Sequence, residues 1–271
     1  MTPLSVFITT FNNERTLPFC LESVKWADEI IVLDSLSSDR TLEIARQYGC
    51  RTYQHEFTGY GKQKQMAADK TTHRWVLLLD SDEALSPELQ REIQGLLRTG
   101  PQADGYEMPR QEQIYWRMST TRMRLTHFLR LYDKTKGRMT DMPVHAAPRL
   151  EGTIGRLRHP FLHFANFDIH GRVEKANNYS TDLVQDKLAK GQRGNPWMTV
   201  FYPPFYFVRM FVLQRHFLNG WAGFIASAIG GFYVFLKYAK LYQHYQFERY
   251  GNRLLPEGAP TVDRRTGRKP A

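Results

Sequence analysis

The chain has 271 residues, 42% of them hydrophobic, enough for a substantial core and too many for wholesale disorder. Lys and Arg outnumber Asp and Glu by 37 to 27, and the net charge of +10 favours anionic partners such as phosphates, acidic glycans or a negatively charged leaflet; nothing else in the sequence supports nucleic acid. Two cysteines, Cys20 and Cys50, lack metal-ligand spacing and cannot make the disulfide framework of a small secreted fold, so a reducing cytosol is the expected home.

The first segment, Met1 to Asn13, has no basic start and only a short apolar run, and reads as a strand over Leu4 to Thr9, not a signal peptide. Helix-like and strand-like runs then alternate: Thr16 to Val24, Glu29 to Leu33, Thr41 to Tyr48, Arg51 to Gln54, Lys62 to Lys70 and Trp75 to Leu79. That rhythm predicts βαβ units and a mostly parallel sheet. A further helix begins after Ser86, a good N-cap followed by Pro87 in the first turn. From about Gly100 to Phe164 the rhythm fades into a basic, aromatic stretch, expected to face an acceptor. Gly171 to Lys190 reads as an amphipathic helix. Pro196 to Tyr245 is dense in aromatics and is expected to be interrupted at Pro203-Pro204, and Glu257 to Ala271 has the composition of a disordered tail.

The candidate chemistry collects where strands end. Trp75 to Leu79 is apolar throughout, as a parallel strand covered on both faces requires, and runs directly into Asp80-Ser81-Asp82-Glu83. Ligands of open α/β sheets bind at that carboxyl edge. Two carboxylates, two residues apart, suit a ribose on one side and a divalent ion bridging diphosphate oxygens on the other. Thr9-Thr10-Phe11-Asn12-Asn13-Glu14 follows the first strand, and Asp34 closes the second. Either can be a ligand contact or an ordinary capping turn.

Four ordered blocks resemble glycosyltransferase family 2: Thr10-Phe11-Asn12, Glu29 to Ser35, Ser38-Asp39-Arg40-Thr41 and Leu79 to Glu83. More narrowly, Trp26-Ala27-Asp28-Glu29, Gly59 to Lys64, Arg130-Leu131-Tyr132, Gly220 to Gly223 and Phe235 to Lys240 are similar to lipopolysaccharide core β-glucosyltransferases that act on inner-core heptose. The resemblance implies a GT-A fold, α/β with a Rossmann-like nucleotide-binding sheet flanked by helices, together with a UDP-sugar donor, a divalent metal (Mg²⁺ or Mn²⁺) and inversion at the anomeric carbon. By motif it implies that Thr10, Glu14 and Asp34 hold the nucleoside, Lys62 approaches the diphosphate, Asp80 touches ribose or metal, and Asp82 binds the metal. Two departures stand out. Leu36 replaces the usual glycine after Asp34-Ser35, and Asp141-Met142-Pro143-Val144-His145-Ala146 lacks the glutamate that commonly follows Val-His. Asp141 is the expected catalytic base and His145 a further metal ligand or diphosphate contact. Arg122, Arg124 and Arg130 are expected to pair with an anionic acceptor, with Trp116 as a stacking face.

The expected organisation is a catalytic domain over 1–165, a helical, aromatic-rich, membrane-associated extension over 166–250 and a basic tail over 251–271. Phe217 to Leu236 holds twenty uncharged residues, long enough to cross a bilayer. Its four glycines, Asn219 and Ser227 favour instead a helix packed on protein or lying in the membrane interface. The expected activity is transfer from a nucleotide sugar to a lipid-linked glycan at the cytoplasmic face of the inner membrane. The alternatives are a polyprenyl-phosphate sugar synthase and a non-catalytic sugar-nucleotide or membrane-binding module.

Overall fold

The structure, a computed structural model, describes residues 1–140, 146–164 and 168–250. The described residues fall into two compact units, one drawn from Met1–Gln113 and Arg124–Ala165, the other from Ile114–Met123 and Asn166–Ala271.

In chain order the elements are β1 (Leu4–Thr10), α1 (Leu17–Val24), β2 (Glu29–Asp34), α2 (Thr41–Gln47), β3 (Arg51–Gln54), α3 (Tyr60–Asp69), β4 (Trp75–Asp80), β5 (Glu83–Leu85) and α4 (Pro87–Thr99). Strands β6 (Gly105–Ile114), β7 (Arg117–Met118), β8 (Thr126–Asp133), β9 (Gly137–Met139), β10 (Pro148–Leu150), β11 (Ile154–Arg156) and β12 (Phe161–His163) follow. The stretch after Gly100, irregular by sequence rhythm, is therefore strand-rich. It escapes the βαβ pattern because, among the described residues, no helix separates these strands and several pair antiparallel.

The first unit is a sheet in the order β3-β2-β1-β4-β8-β6-β12-β5, with β3 to β4 parallel. Leu4, Val6 and Ile8 pack with Leu77 and Leu79 on one face, while Phe7 packs with Ile31, Val76 and Leu78 on the other. Alternation within a continuous apolar run means that both faces are covered, which is why β4 reads as an unbroken apolar segment and β1 as one interrupted only by Ser5 before its terminal threonines. The same register sets Thr10 beside Asp34 and Thr9 beside Asp80, so three strand ends meet at one edge. Ser86 Oγ accepts from Leu89 N at 3.2 Å, the cap expected ahead of Pro87.

The second unit is helical: α5 (Ile169–Ala189), α6 (Pro196–Val208) and α7 (Gly220–Tyr250), with a π-helical turn at Arg209–Leu213 and a 3₁₀ turn at His216–Asn219. Asp168 and Asn195 cap α5 and α6 through bonds to Gly171 N and Trp197 N. Contrary to the expected break, α6 runs through Pro203 and Pro204. Tertiary packing overrides the proline penalty there: a Cβ on Gly231 would lie 3.1 Å from the Pro203 carbonyl oxygen, so α7 lies close against the proline turn. The small face of α7 faces inward. A Cβ on Gly223 would strike the His216 carbonyl, Ser227 is fully buried, and Ala222 and Ala226 pack on Ile114 and Tyr115.

Candidate active site

The carboxyl edge of β4 carries a buried charge cluster. Lys64 Nζ lies 2.6 Å from one oxygen of Asp80, and Arg130 Nη2 lies 3.5 Å from the other. Arg130 also meets Glu83 at 2.5 Å, and Glu83 accepts from the Asp80 backbone N–H at 3.0 Å. Burial alone would raise the Asp80 carboxyl, but the Lys64 ammonium and then the Arg130 guanidinium hold it well below the usual carboxylate range. Burial raises Glu83 above its ordinary value; Arg130 pulls it down and the Asp80 charge pushes it up. Arg130 is buried between the Phe128 and Phe161 rings. It braces the Asp80 turn through Nη2, and at 5% exposure it does not present the open surface that the expected acceptor contact calls for.

Asp82 points to a different partner. His163 Nε2 is 3.4 Å from Asp82 Oδ2, and His163 Nδ1 is 2.6 Å from Glu112 Oε2. Burial would lower this imidazole, but hydrogen bonds to Asp82 and Glu112 raise it to about 9, so it is protonated at neutral pH. The contact exists because β12 inserts between β6 and β5, which sets His163 beside Glu112 on one side and Glu83 on the other.

The other side of the edge is built from two loops that cap each other. Asp34 is fully buried, accepts from Ser37 N at 3.0 Å and Gln54 Nε2 at 3.1 Å, and also bonds the Ser37 hydroxyl. Glu14 accepts from Arg40 N at 3.1 Å, and Glu14 N donates to Asp39 at 3.1 Å. Asn13 Nδ2 reaches Ser81 Oγ at 2.6 Å and so ties the Thr10 loop to the Asp80 turn. Thr10 Oγ1 is buried with no protein partner, as is Gln63 Oε1. Orphaned polar atoms at a ligand edge are consistent with groups waiting for a partner. Leu36 sits at φ 65°, so the turn after Asp34 keeps a left-handed residue although it is not glycine.

The structure thus brings together Asp80, Asp82 and Arg130, and sets Thr10, Glu14 and Asp34 along the adjoining loops. Lys62 is exposed, and Lys64 faces Asp80 instead. Helical phase could have distinguished the two: Gly61, Lys64, Ala67 and Ala68 form the buried side of α3, whereas Lys62 lies off it. Sequence reasoning gives Glu83, Glu112 and His163 no such role, and for His163 no local signal exists. Trp116 and Arg122 are exposed in the second unit, and Arg124 is exposed in the first. Asp141 and His145 lie outside the described residues.

Among the described residues no three His, Cys, Asp or Glu side chains are grouped to hold a metal on their own. A divalent ion fits the Asp82 carboxylate as its protein ligand, with diphosphate oxygens and water completing the shell; His163, protonated and bonded through both ring nitrogens, offers it no free lone pair. Mg²⁺ and Mn²⁺ commonly take only one or two protein ligands beside substrate phosphates.

Residues 5–150 match the family described as glycosyl transferase family 2, and the chain belongs to that family. Its sheet and flanking helices have the GT-A fold, and the protein is a glycosyltransferase. It is 31% identical over 251 residues to the lipopolysaccharide core biosynthesis glycosyltransferase LpsC of Rhizobium meliloti (strain 1021), covering 90% of this chain and 93% of that one. It is also 31% identical to an uncharacterized glycosyltransferase of Rickettsia typhi, covering 89% of this chain and 87% of the relative. Among solved structures, Staphylococcus aureus TarS 1-349 in complex with UDP is similar at a TM-score of 0.47 and 14% identity, over 92% of this chain and 93% of that one. Glucosyl-3-phosphoglycerate synthase from Mycobacterium tuberculosis, solved with Mn²⁺ and UDP, matches at a TM-score of 0.35 and 25% identity over 40% of this chain and 44% of that one.

Proposed function

We propose that the protein transfers a hexose, with UDP-glucose as the favoured donor, onto a lipid-linked glycan of the lipopolysaccharide inner core, with inversion at the anomeric carbon. The observation that carries the donor reading is the single edge on which Thr10, Asp34, Asp80 and Asp82 converge. The acceptor reading rests on the LpsC likeness over nine-tenths of the chain and on the net charge of +10, which suits an anionic glycan.

Thr10, Glu14 and Asp34 would hold the nucleoside and Lys64 would face the diphosphate, in place of the exposed Lys62. Asp82 would hold Mg²⁺ or Mn²⁺, with His145 as a further ligand from the motif. The ion supplies charge neutralisation for the departing diphosphate. Asp141 takes the proton from the attacking acceptor hydroxyl, the work of an ionised carboxylate within reach of that oxygen. Trp116, Arg122 and Arg124 would receive the acceptor. Asp80, already neutralised by Lys64 and Arg130, is suited to accept from ribose hydroxyls. The enzyme works at the cytoplasmic face of the inner membrane as a peripheral protein.

A donor screen with UDP, GDP and CMP sugars, with Mn²⁺ or Mg²⁺ and lipopolysaccharide truncated to inner-core heptose, tests this reading. UDP-glucose should be consumed and the glycan extended. Exclusive use of a GDP or CMP sugar would overturn the donor assignment. Asp82→Ala should abolish transfer with the fold intact, and full activity of that variant after chelation and metal restoration would remove Asp82 from the metal site. Asp141→Asn should keep donor binding and lower turnover by about 10²-fold or more.

A further inference from the structure

Fourteen of the 26 exposed large hydrophobic side chains among the described residues lie between Trp197 and Phe235. On α6 they recur as Trp197, Val200, Phe201, Phe205 and Val208, one helical face continued through the π turn by Val212. On α7 they recur as Trp221, Phe224, Phe232 and Phe235, again one face, and Trp221 is 75% exposed. The faces join. Phe224 packs edge-on against Phe207 and Phe211 of the preceding segment, and Trp221 packs on Phe224. Gly230, Met210 and Tyr206 close the antiparallel hairpin beneath them. So large an outward apolar surface on one element pair is a docking surface, not scattered exposure.

Charge identifies what it docks on. Between Asp186 and Glu248 the chain has no acidic residue but seven Lys and Arg, among them the exposed Arg193, Arg209 and Arg215. An apolar aromatic face with only positive flanks fits the headgroup region of an anionic leaflet. A crossing of the bilayer does not fit. At 31 residues α7 is long enough, but α5 lies along its C-terminal half, with Val184 on Val234, Tyr238 and Leu241. Lys240 is held there by Asn177, Ser180 and Thr181 of α5, which also carries exposed Asp182 and Asp186. A span would drag that charged helix into hydrocarbon.

We propose that α6, the π turn and the N-terminal half of α7 form a monotopic hairpin that lies in the plane of an anionic leaflet, its Trp197-to-Phe235 aromatic face inserted and its basic flanks on the headgroups. The proposal rests on the membrane association above and specifies the surface responsible. Sedimentation of the full chain with vesicles of phosphatidylglycerol and phosphatidylethanolamine, against phosphatidylcholine alone, tests it. Binding should need phosphatidylglycerol, weaken in high salt and be released by alkaline carbonate. Phe201→Ser, Phe205→Ser and Trp221→Ser should each weaken it about tenfold, as expected for a large apolar side chain withdrawn from lipid. Arg193→Glu with Arg209→Glu should weaken it about 25-fold or more, since each basic residue near such a surface contributes about fivefold. None of these variants should alter circular dichroism or nucleotide-sugar hydrolysis in lipid-free buffer. Retention through carbonate, absence of vesicle binding, or a lipid-free dimer dispersed by the serine variants would each overturn the hairpin. Hydrolysis of UDP-glucose with no vesicle binding would defeat this proposal alone; vesicle binding with no use of any nucleotide sugar would defeat the catalytic reading alone.

Discussion

Strand β4 and helix α7 are both long apolar runs, yet they answer to different surroundings. Trp75 to Leu79 is buried between two helical layers, whereas α7 hides Ala222, Gly223, Ala226, Ser227 and Gly231 and turns Trp221, Phe224, Phe232 and Phe235 outward. In the first unit the outlying groups are charges, drawn inward to the strand ends as Lys64, Asp80, Glu83 and Arg130. In the second they are aromatics, left outside. The comparison teaches that apolarity alone does not say which side of an element is inside; the size of the residues on the opposite face does. Large residues cannot follow glycines into a close helix contact.

The comparison breaks first at Arg130. Arg130→Met should destabilise the first unit by about 3–5 kcal/mol, the usual consequence of stranding a buried carboxylate. Urea melts would show it, and adding Glu83→Gln should recover much of the loss. A change under about 1 kcal/mol in the single variant would mean that Glu83 needs no cation, and the cluster would then not be an ion pair.

A paired test of the apolar runs is next in size. Leu77→Ala in β4 should cost about 2–5 kcal/mol, because the side chain is fully buried and leaves a cavity. Phe205→Ser in α6 should stay within about 0.5 kcal/mol in lipid-free buffer, although a larger side chain is removed, because Phe205 is 63% exposed. Equal losses in thermal melts would show that the hairpin face is covered in solution.

Acid should act on the first unit more than on the second. Burial would raise Glu29, but hydrogen bonds from Ser5, Thr72 and Arg51 hold it below its ordinary value. Asp133 is likewise depressed, by Arg74 and Thr135 against burial. Groups whose folded-state affinity for protons is lowered stabilise the fold above their unfolded pKa, near 4, and lose that contribution as pH falls through the lower folded value. The urea midpoint should therefore fall between about pH 5 and pH 2. A midpoint flat across that window would show that these carboxylates are not stabilised by folding.

The smallest effect is expected at Leu36. Leu36→Gly should raise stability by about 1 kcal/mol or less, since it relieves a left-handed residue that is half exposed, offset by added freedom in the unfolded chain. A loss of stability would mean that the leucine side chain contributes packing that outweighs its strained φ.

Much of this was legible before the fold. The βα rhythm to Pro87, the strand ending in Asp80-Ser81-Asp82, the Ser86 cap and the family blocks are short-range features. They depend on periodicity and neighbours within a few residues, which a linear sequence records directly. Lys64 is legible as well, through its phase with Gly61 and Ala67, but Lys62 two residues before it matches the family motif equally well by spacing alone. The strands after Gly100 were not, because antiparallel pairing without intervening helices leaves no rhythm to read.

The sequence by itself determined the family, the candidate site's edge and an aromatic-rich stretch with no acidic residue between Asp186 and Glu248. Only the tertiary structure decided that His163 meets Asp82, that Arg130 is a buried brace and not a surface contact, that α6 survives two prolines, and which way the aromatic stripe of α7 faces. Each of these depends on what lies beside a residue across tens of positions in the chain. Strand register, helix approach and the competition for buried space set those neighbours, and none of them is a property of any local run of residues.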